Sequence, residues 1–167
     1  EQGPRYNVRS EPLRLLGNAT LNIVLDIKVS SNWTVGPELG IEKYSVTEAA
    51  PRSSKIYVDT SFIGVRANWF KNGVYTDGLY VAPLFRSANT KITAPSDLTV
   101  TGATAGTLFG CFVGYGWFWD SFNMMLGLGP VMGSSHQSIE IIGQNGTNHL
   151  SDHLALALGE YTLGWTF

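Results

Sequence analysis

Along 103–119 one set of alternate positions reads Ala103, Ala105, Thr107, Phe109, Cys111, Val113, Tyr115, Trp117 and Trp119, while Gly102, Gly106, Gly110 and Gly114 fall on the other. Successive side chains of a β-strand point to opposite faces, so a period of two marks a strand with one apolar face. The same glycines recur every four residues, which on a helix would form a small-residue packing seam. The strand accounts for every position and the helix for the glycines alone. A membrane-spanning helix needs about 20 consecutive apolar residues, and the most apolar stretch, 108–132, is broken by glycines, Pro130 and Asp120.

The alternation recurs along the chain. Leu21, Ile23, Leu25, Ile27 and Val29 alternate with Asn22, Asp26 and Lys28, and Ile63, Val65, Ala67 and Trp69 alternate with Gly64, Arg66 and Asn68. Phe122, Met124, Leu126 and Leu128 alternate with Asn123, Met125 and Gly127, and the chain ends on Tyr161, Leu163, Trp165 and Phe167. A soluble sandwich alternates too, but its outward face is polar. Here the apolar face is nearly continuous and the other face carries glycines and scattered ions. That inverts the soluble rule and predicts an all-β fold, a closed antiparallel transmembrane up-and-down β-barrel with a polar interior. Closure is required because an open sheet edge has no hydrogen-bond partner in hydrocarbon.

Seven strands are predicted at 19–29, 33–44, 56–70, 78–86, 98–118, 121–132 and 154–167. An even count calls for an eighth, placed at 5–16 with a turn at Gly17-Asn18. The alternative makes 13–29 one strand and takes 136–142 as the eighth. Trp33, Trp69, Trp117, Trp119 and Trp165, with Phe167, fall beside short turns or the C-terminus and predict an aromatic belt at one rim. Short turns belong to the periplasmic side. The longer connections, 45–55, 87–97 and 133–153, then lie at the outer rim.

Composition excludes several classes. Charged residues are 14% and the formal net charge is −2, which gives no basis for binding nucleic acid. The single cysteine, Cys111, excludes an intrachain disulfide. One domain over 1–167 is expected. The first methionine is Met124, so a processed N-terminus after a cleaved signal peptide is expected. The G-x-G stretches open no helix, so no nucleotide site follows, and no cofactor or metal is expected. The sequons at Asn18, Asn32 and Asn145 are read as chance.

The terminal Tyr161-x-Leu163-x-Trp165-x-Phe167 resembles the C-terminal signal of Gram-negative outer-membrane barrels. Stretches such as 33-WTVGPELG-40 and 114-GYGWFW-119 look like small eight-stranded outer-membrane proteins of the OmpA-domain and OmpX kind. The resemblance covers about 13–167. It implies the outer membrane of a Gram-negative bacterium, contact with outer-membrane lipid and lipopolysaccharide, and delivery by the barrel assembly machinery. It fixes no activity, since such barrels serve as anchors, adhesins, enzymes and carriers.

Three functional readings follow, and the first is preferred. It is a non-enzymatic barrel whose outer loops meet the environment or an extracellular partner. Its lumen is expected to be largely plugged by an ion-pair network of Asp26, Glu38, Glu42, Arg66 and Glu160, with Asp26, Glu38 and Arg66 in mutual contact. The second is a carrier of a lipid-like ligand in a lumen lined by Tyr80, Leu84, Gly106, Leu108, Gly110, Phe112, Met125 and Gly127. The third is a lipid A acyl hydrolase. It would draw on the His-x-Ser pairs His136/Ser138 and His149/Ser151 with Glu140 or Glu160 as the orienting acid. His136, His149 and His153 fall in the predicted outer region but their spacing fixes no metal site.

Overall fold

The structure is a computed structural model that describes residues 3–12, 19–47, 55–93, 100–141 and 147–167. Eight strands follow one another: β1 (Tyr6–Ser10), β2 (Ala19–Lys28), β3 (Trp33–Thr47), β4 (Lys55–Phe70), β5 (Gly78–Thr93), β6 (Val100–Trp119), β7 (Phe122–Ile141) and β8 (Thr147–Thr166). Each pairs antiparallel with the next, and β1 pairs with β8, so the sheet closes into an up-and-down barrel. The all-β, eight-stranded expectation is thus met.

Two details differ from it. The eighth strand is indeed N-terminal, so 136–142 is not needed for it; residues 136–141 belong to β7. But β1 covers only Tyr6–Ser10 of the expected 5–16, and the expected turn at Gly17-Asn18 lies outside the described residues. Pro12, which has no N–H to give a ladder, follows it closely. The second difference is strand length. β7 and β8 have 20 residues each and take in most of 133–153, which was expected to be a loop. In the same way β3 and β4 reach into 45–55, and β5 into 87–97. The Ser/Thr/Asn-rich composition of those stretches masked strands whose two faces are both polar.

The alternation sets the two faces of the wall. Leu39, Ile63, Phe109 and Leu128 are exposed on the outside, whereas Arg9, Asp26, Glu38 and Arg66 are fully buried inside. The rings of the chain's lower rim group together. Trp33 stands opposite Trp69, Trp119 stacks on Phe122, Phe122 meets Trp165 edge-on and Tyr6 meets Phe167. The C-terminal strand ends there, with the Phe167 backbone paired to Tyr6.

Three prolines interrupt the ladder in the middle of the wall. Between β2 and β3 the paired positions stop at Val24↔Glu38 and resume at Ile27↔Val35, across from Pro37. Between β4 and β5 they skip from Arg66↔Leu84 to Trp69↔Val81, beside Pro83, and between β6 and β7 from Gly110↔Val131 to Val113↔Leu128, beside Pro130. A proline cannot donate to the facing carbonyl. At Gly36-Pro37 and Gly129-Pro130 the glycine takes up the slack. A Cβ on Gly36 would collide with the Leu25 carbonyl oxygen, and one on Gly129 with the Cys111 carbonyl oxygen. The bare Cα lets the strands close over the missing bond, with weak C–H···O contact in its place.

Candidate functional site

The lumen beside the tryptophan rim is closed by the β4–β5 turn. Its left-handed residues Gly73 (φ 104°) and Tyr75 (φ 63°) fold the segment inward. The Val74 amide donates to the Ser31 carbonyl at 2.8 Å, and the Tyr75 hydroxyl to the Asp26 carbonyl at 3.2 Å. Val74 packs with Phe70, Tyr80 and Phe118, and Phe70 meets Phe118 edge-on. Burial raises the Tyr75 phenol pKa well above its ordinary value, and the negative charge of Asp26 raises it further. The phenol's contribution to stability is therefore complete below about pH 10 and is lost as pH rises through the raised value. Tyr75→Phe should shallow the alkaline limb of the pH–stability curve, read by denaturant unfolding between pH 8 and 12.

Above this cap the lumen holds three arginine–carboxylate pairs. Arg9 Nε lies 2.7 Å from Asp26 Oδ2, and Arg9 Nη2 lies 3.1 Å from Oδ1. Arg66 grips Glu160 through both terminal nitrogens, at 2.5 and 2.6 Å. Arg86 grips Glu38 at 2.6 and 3.0 Å. Two parallel N–H···O bonds per pair are the strongest form this contact takes.

Neutral side chains satisfy the remaining positions and connect the pairs. Asn68 is the link. Its Nδ2 donates to Asp26 and to Thr34, and its Oδ1 accepts from Arg66 Nε at 2.9 Å. Tyr80 donates to Glu160 at 2.5 Å, Asn22 donates to Glu38 at 2.8 Å, and Arg9 donates to Thr162 at 3.1 Å. Asn123 on β7 donates to Asn7 on β1. Within these three pairs, cations and anions balance one to one.

The opposite half of the lumen is apolar. Tyr80, Leu84, Phe112, Met125 and Val131 pack on one another, and the glycines of β6 and β7 face them. A Cβ on Gly127 would strike the Tyr80 hydroxyl, one on Gly114 the Leu126 carbonyl oxygen and then the Tyr80 ring, and one on Gly110 would press on Val131 and Leu84. Gly164 on β8 does the same for Arg9 and Asn123. Gly110, Gly127 and Gly164 make room for large side chains, and Gly114 also for the facing backbone.

The expected site residues distribute as follows. Asp26, Glu38, Arg66 and Glu160 all point inward and are buried. The expected mutual contact of Asp26, Glu38 and Arg66 is replaced by separate pairs, because Arg66 turns to Glu160 on β8 while Arg9 and Arg86 take Asp26 and Glu38. Glu42 points inward but joins no ion pair among the described residues. Of the candidate ligand lining, Tyr80, Leu84, Phe112 and Met125 fill the lumen themselves, Gly110 and Gly127 receive neighbouring side chains, and Gly106 and Leu108 sit higher on β6, half-buried. The space assigned to a lipid-like ligand in that half is taken by the protein.

The residues of the hydrolase reading lie on β7 and β8, with Glu140 two positions beyond Ser138 on β7. In the backbone register Ser138 stands opposite His149, and His136 opposite Ser151. His153 stands opposite Ser134, so the three histidines sit on strands and not in a loop. Glu160 lies nine residues further down β8 than Ser151, about 30 Å along a strand. It is also locked to Arg66 and Tyr80, so it cannot orient either pair.

Arg9 and Arg86 were missed. Arg9 was legible in Tyr6, Val8 and Ser10 alternating with Asn7, Arg9 and Glu11. Arg86 continues the inward series Ala82, Leu84 as the last residue of the expected strand 78–86. Comparison of the chain with protein-family models gives no match, and comparison with curated proteins gives none either.

Proposed function

We propose that this chain is a small outer-membrane barrel of a Gram-negative bacterium, with a plugged lumen and with its outer rim as its working surface. One observation carries the reading: the wall is apolar outside and ionic inside. Charged side chains in water would face out, whereas a lipid-embedded barrel turns them in. The apolar belt fits the dimension. From Trp33 to Ile41 on β3 the outward residues are all apolar, about 26 Å of strand and roughly 20 Å of height at a tilt near 40°. The aromatic rim marks the periplasmic boundary in this reading, and the long strands β6–β8 carry the opposite rim beyond the outer leaflet.

An eight-stranded barrel has an interior just wide enough to be filled by side chains. Here they are bonded into paired charges, which favours a structural or interaction role over transport.

In cell fractionation the chain should travel with the outer membrane, and an unboiled sample should migrate faster than a boiled one on a denaturing gel. Recovery with soluble periplasmic proteins would overturn the proposal. In planar bilayers the purified protein should show little steady conductance, and a large stable pore would contradict the plugged lumen.

A further inference from the structure

The outward face changes character well away from the tryptophan rim. On β3 the outward positions run Val35, Pro37, Leu39 and Ile41, then Lys43 and Ser45. On β4 they run Val65 and Ile63, then Ser61, Asp59 and Tyr57, and on β5 Pro83 and Phe85, then Ser87, Asn89 and Lys91. The register aligns Lys43↔Asp59↔Lys91, so two lysines flank one aspartate in a single row across three strands.

This row differs from every ionic contact in the lumen. Lys43 Nζ lies 3.8 Å from Asp59 Oδ1, with side chains 62% and 52% exposed. A pair so open and so long contributes little. Lys91 is exposed and has no carboxylate partner among the described residues. The row therefore carries one net positive charge. A cleft of about 520 Å³ opens beside it, lined by Lys43, Ser45, Tyr57, Asp59 and Thr93. Lys43 lies ten residues beyond Trp33 on β3, about 25 Å higher along the barrel axis at a strand tilt near 40°. That is one bilayer hydrocarbon band above the aromatic rim. Lysines at such a boundary lay their stems along apolar surface and hold the ammonium among headgroups.

We propose that the Lys43–Asp59–Lys91 row binds the phosphate of a phosphorylated lipid headgroup in the leaflet surrounding that end of the barrel. Lys43 and Lys91 donate to the phosphate, and the cleft beside Tyr57 receives the neighbouring part of the headgroup. The two lysines stand two strand spacings apart, about 10 Å between Cα atoms, close enough for their long stems to converge on one phosphate. Asp59 between them repels the anion. The assignment rests on the membrane reading above.

The test titrates the full chain in zwitterionic detergent micelles with bis-phosphorylated lipid A and reads bound lipid by native mass spectrometry. The wild type should retain one lipid. K43Q/K91Q should weaken retention roughly 25-fold, at about a factor of five per lysine near an anionic lipid surface. Asp59→Asn should tighten it, which keeps the test decisive even if the double variant folds poorly. K28Q/K71Q, at the tryptophan rim, should bind as the wild type does. Undiminished retention by K43Q/K91Q would overturn the proposal, as would weaker retention by Asp59→Asn. So would equal binding of dephosphorylated lipid A, or displacement by an equal concentration of inorganic phosphate, which would mark a free-anion site. A chain that fractionates with the membrane but fails these tests overturns this assignment alone; one absent from the membrane overturns the location beneath it.

Discussion

Arg66→Ala is expected to lower the stability of the folded barrel by about 3–5 kcal/mol, the usual cost of breaking a buried pair by removing one partner. Glu160 is almost wholly inaccessible, and its oxygens accept from Arg66 and Tyr80. Without the guanidinium a carboxylate stays buried with one phenol for company. Asn68 Oδ1 also loses its shorter donor and keeps only Arg9 Nη2, at 3.4 Å, which weakens the link between two pairs. The measurement is the urea midpoint of the barrel in micelles, followed by tryptophan fluorescence. Replacing both partners, as in R66M/E160L, removes the charges together and should recover much of the loss. A single variant as stable as the wild type would mean that water or a neighbour replaces the arginine.

Gly129→Val should be nearly as damaging, although it adds only apolar atoms. The obstacle is backbone, because a Cβ there meets the Cys111 carbonyl and the Phe112 Cα. A side chain can rotate away from a clash, but a strand held on both sides cannot. The expected loss is about 3 kcal/mol, the upper end of what overpacking costs, and the gel should show little fast-migrating folded band. Gly133→Ala is the control. Its Cβ would meet only the Thr107 carbonyl oxygen, at 3.3 Å, and the folded band should persist.

Much of the barrel was legible because period-two alternation reports both faces at once. Where one face is apolar, as in 19–29 or 121–132, the pattern fixed the strand and the direction of every side chain. Where both faces are polar, as in Ser134 to Ser138, no alternation remains, and those strands read as loops. The identity of the pairs was less legible still. Sequence places Arg66 inside, but Glu160 is 94 positions away, and only the closure of β8 against β1 sets which carboxylate it meets. The glycines show a similar limit. Their inward facing was clear, but whether they frame a cavity or admit a ring depends on where Tyr80 points.

The pairing across the seam also bears on how the molecule is assembled. Arg9 comes from the first strand, Glu160 and Thr162 from the last, and Arg66 from the middle of the chain. Until the final strand arrives, Arg66 and Tyr80 face a trough without their anion. A half-built trough in an apolar medium would hold an unmatched cation at its centre. The arrival of the last strand therefore zips the wall and neutralises the interior in the same event. A closed but hollow intermediate is disfavoured on this route, and the cell should meet either an unfinished sheet or a sealed cylinder.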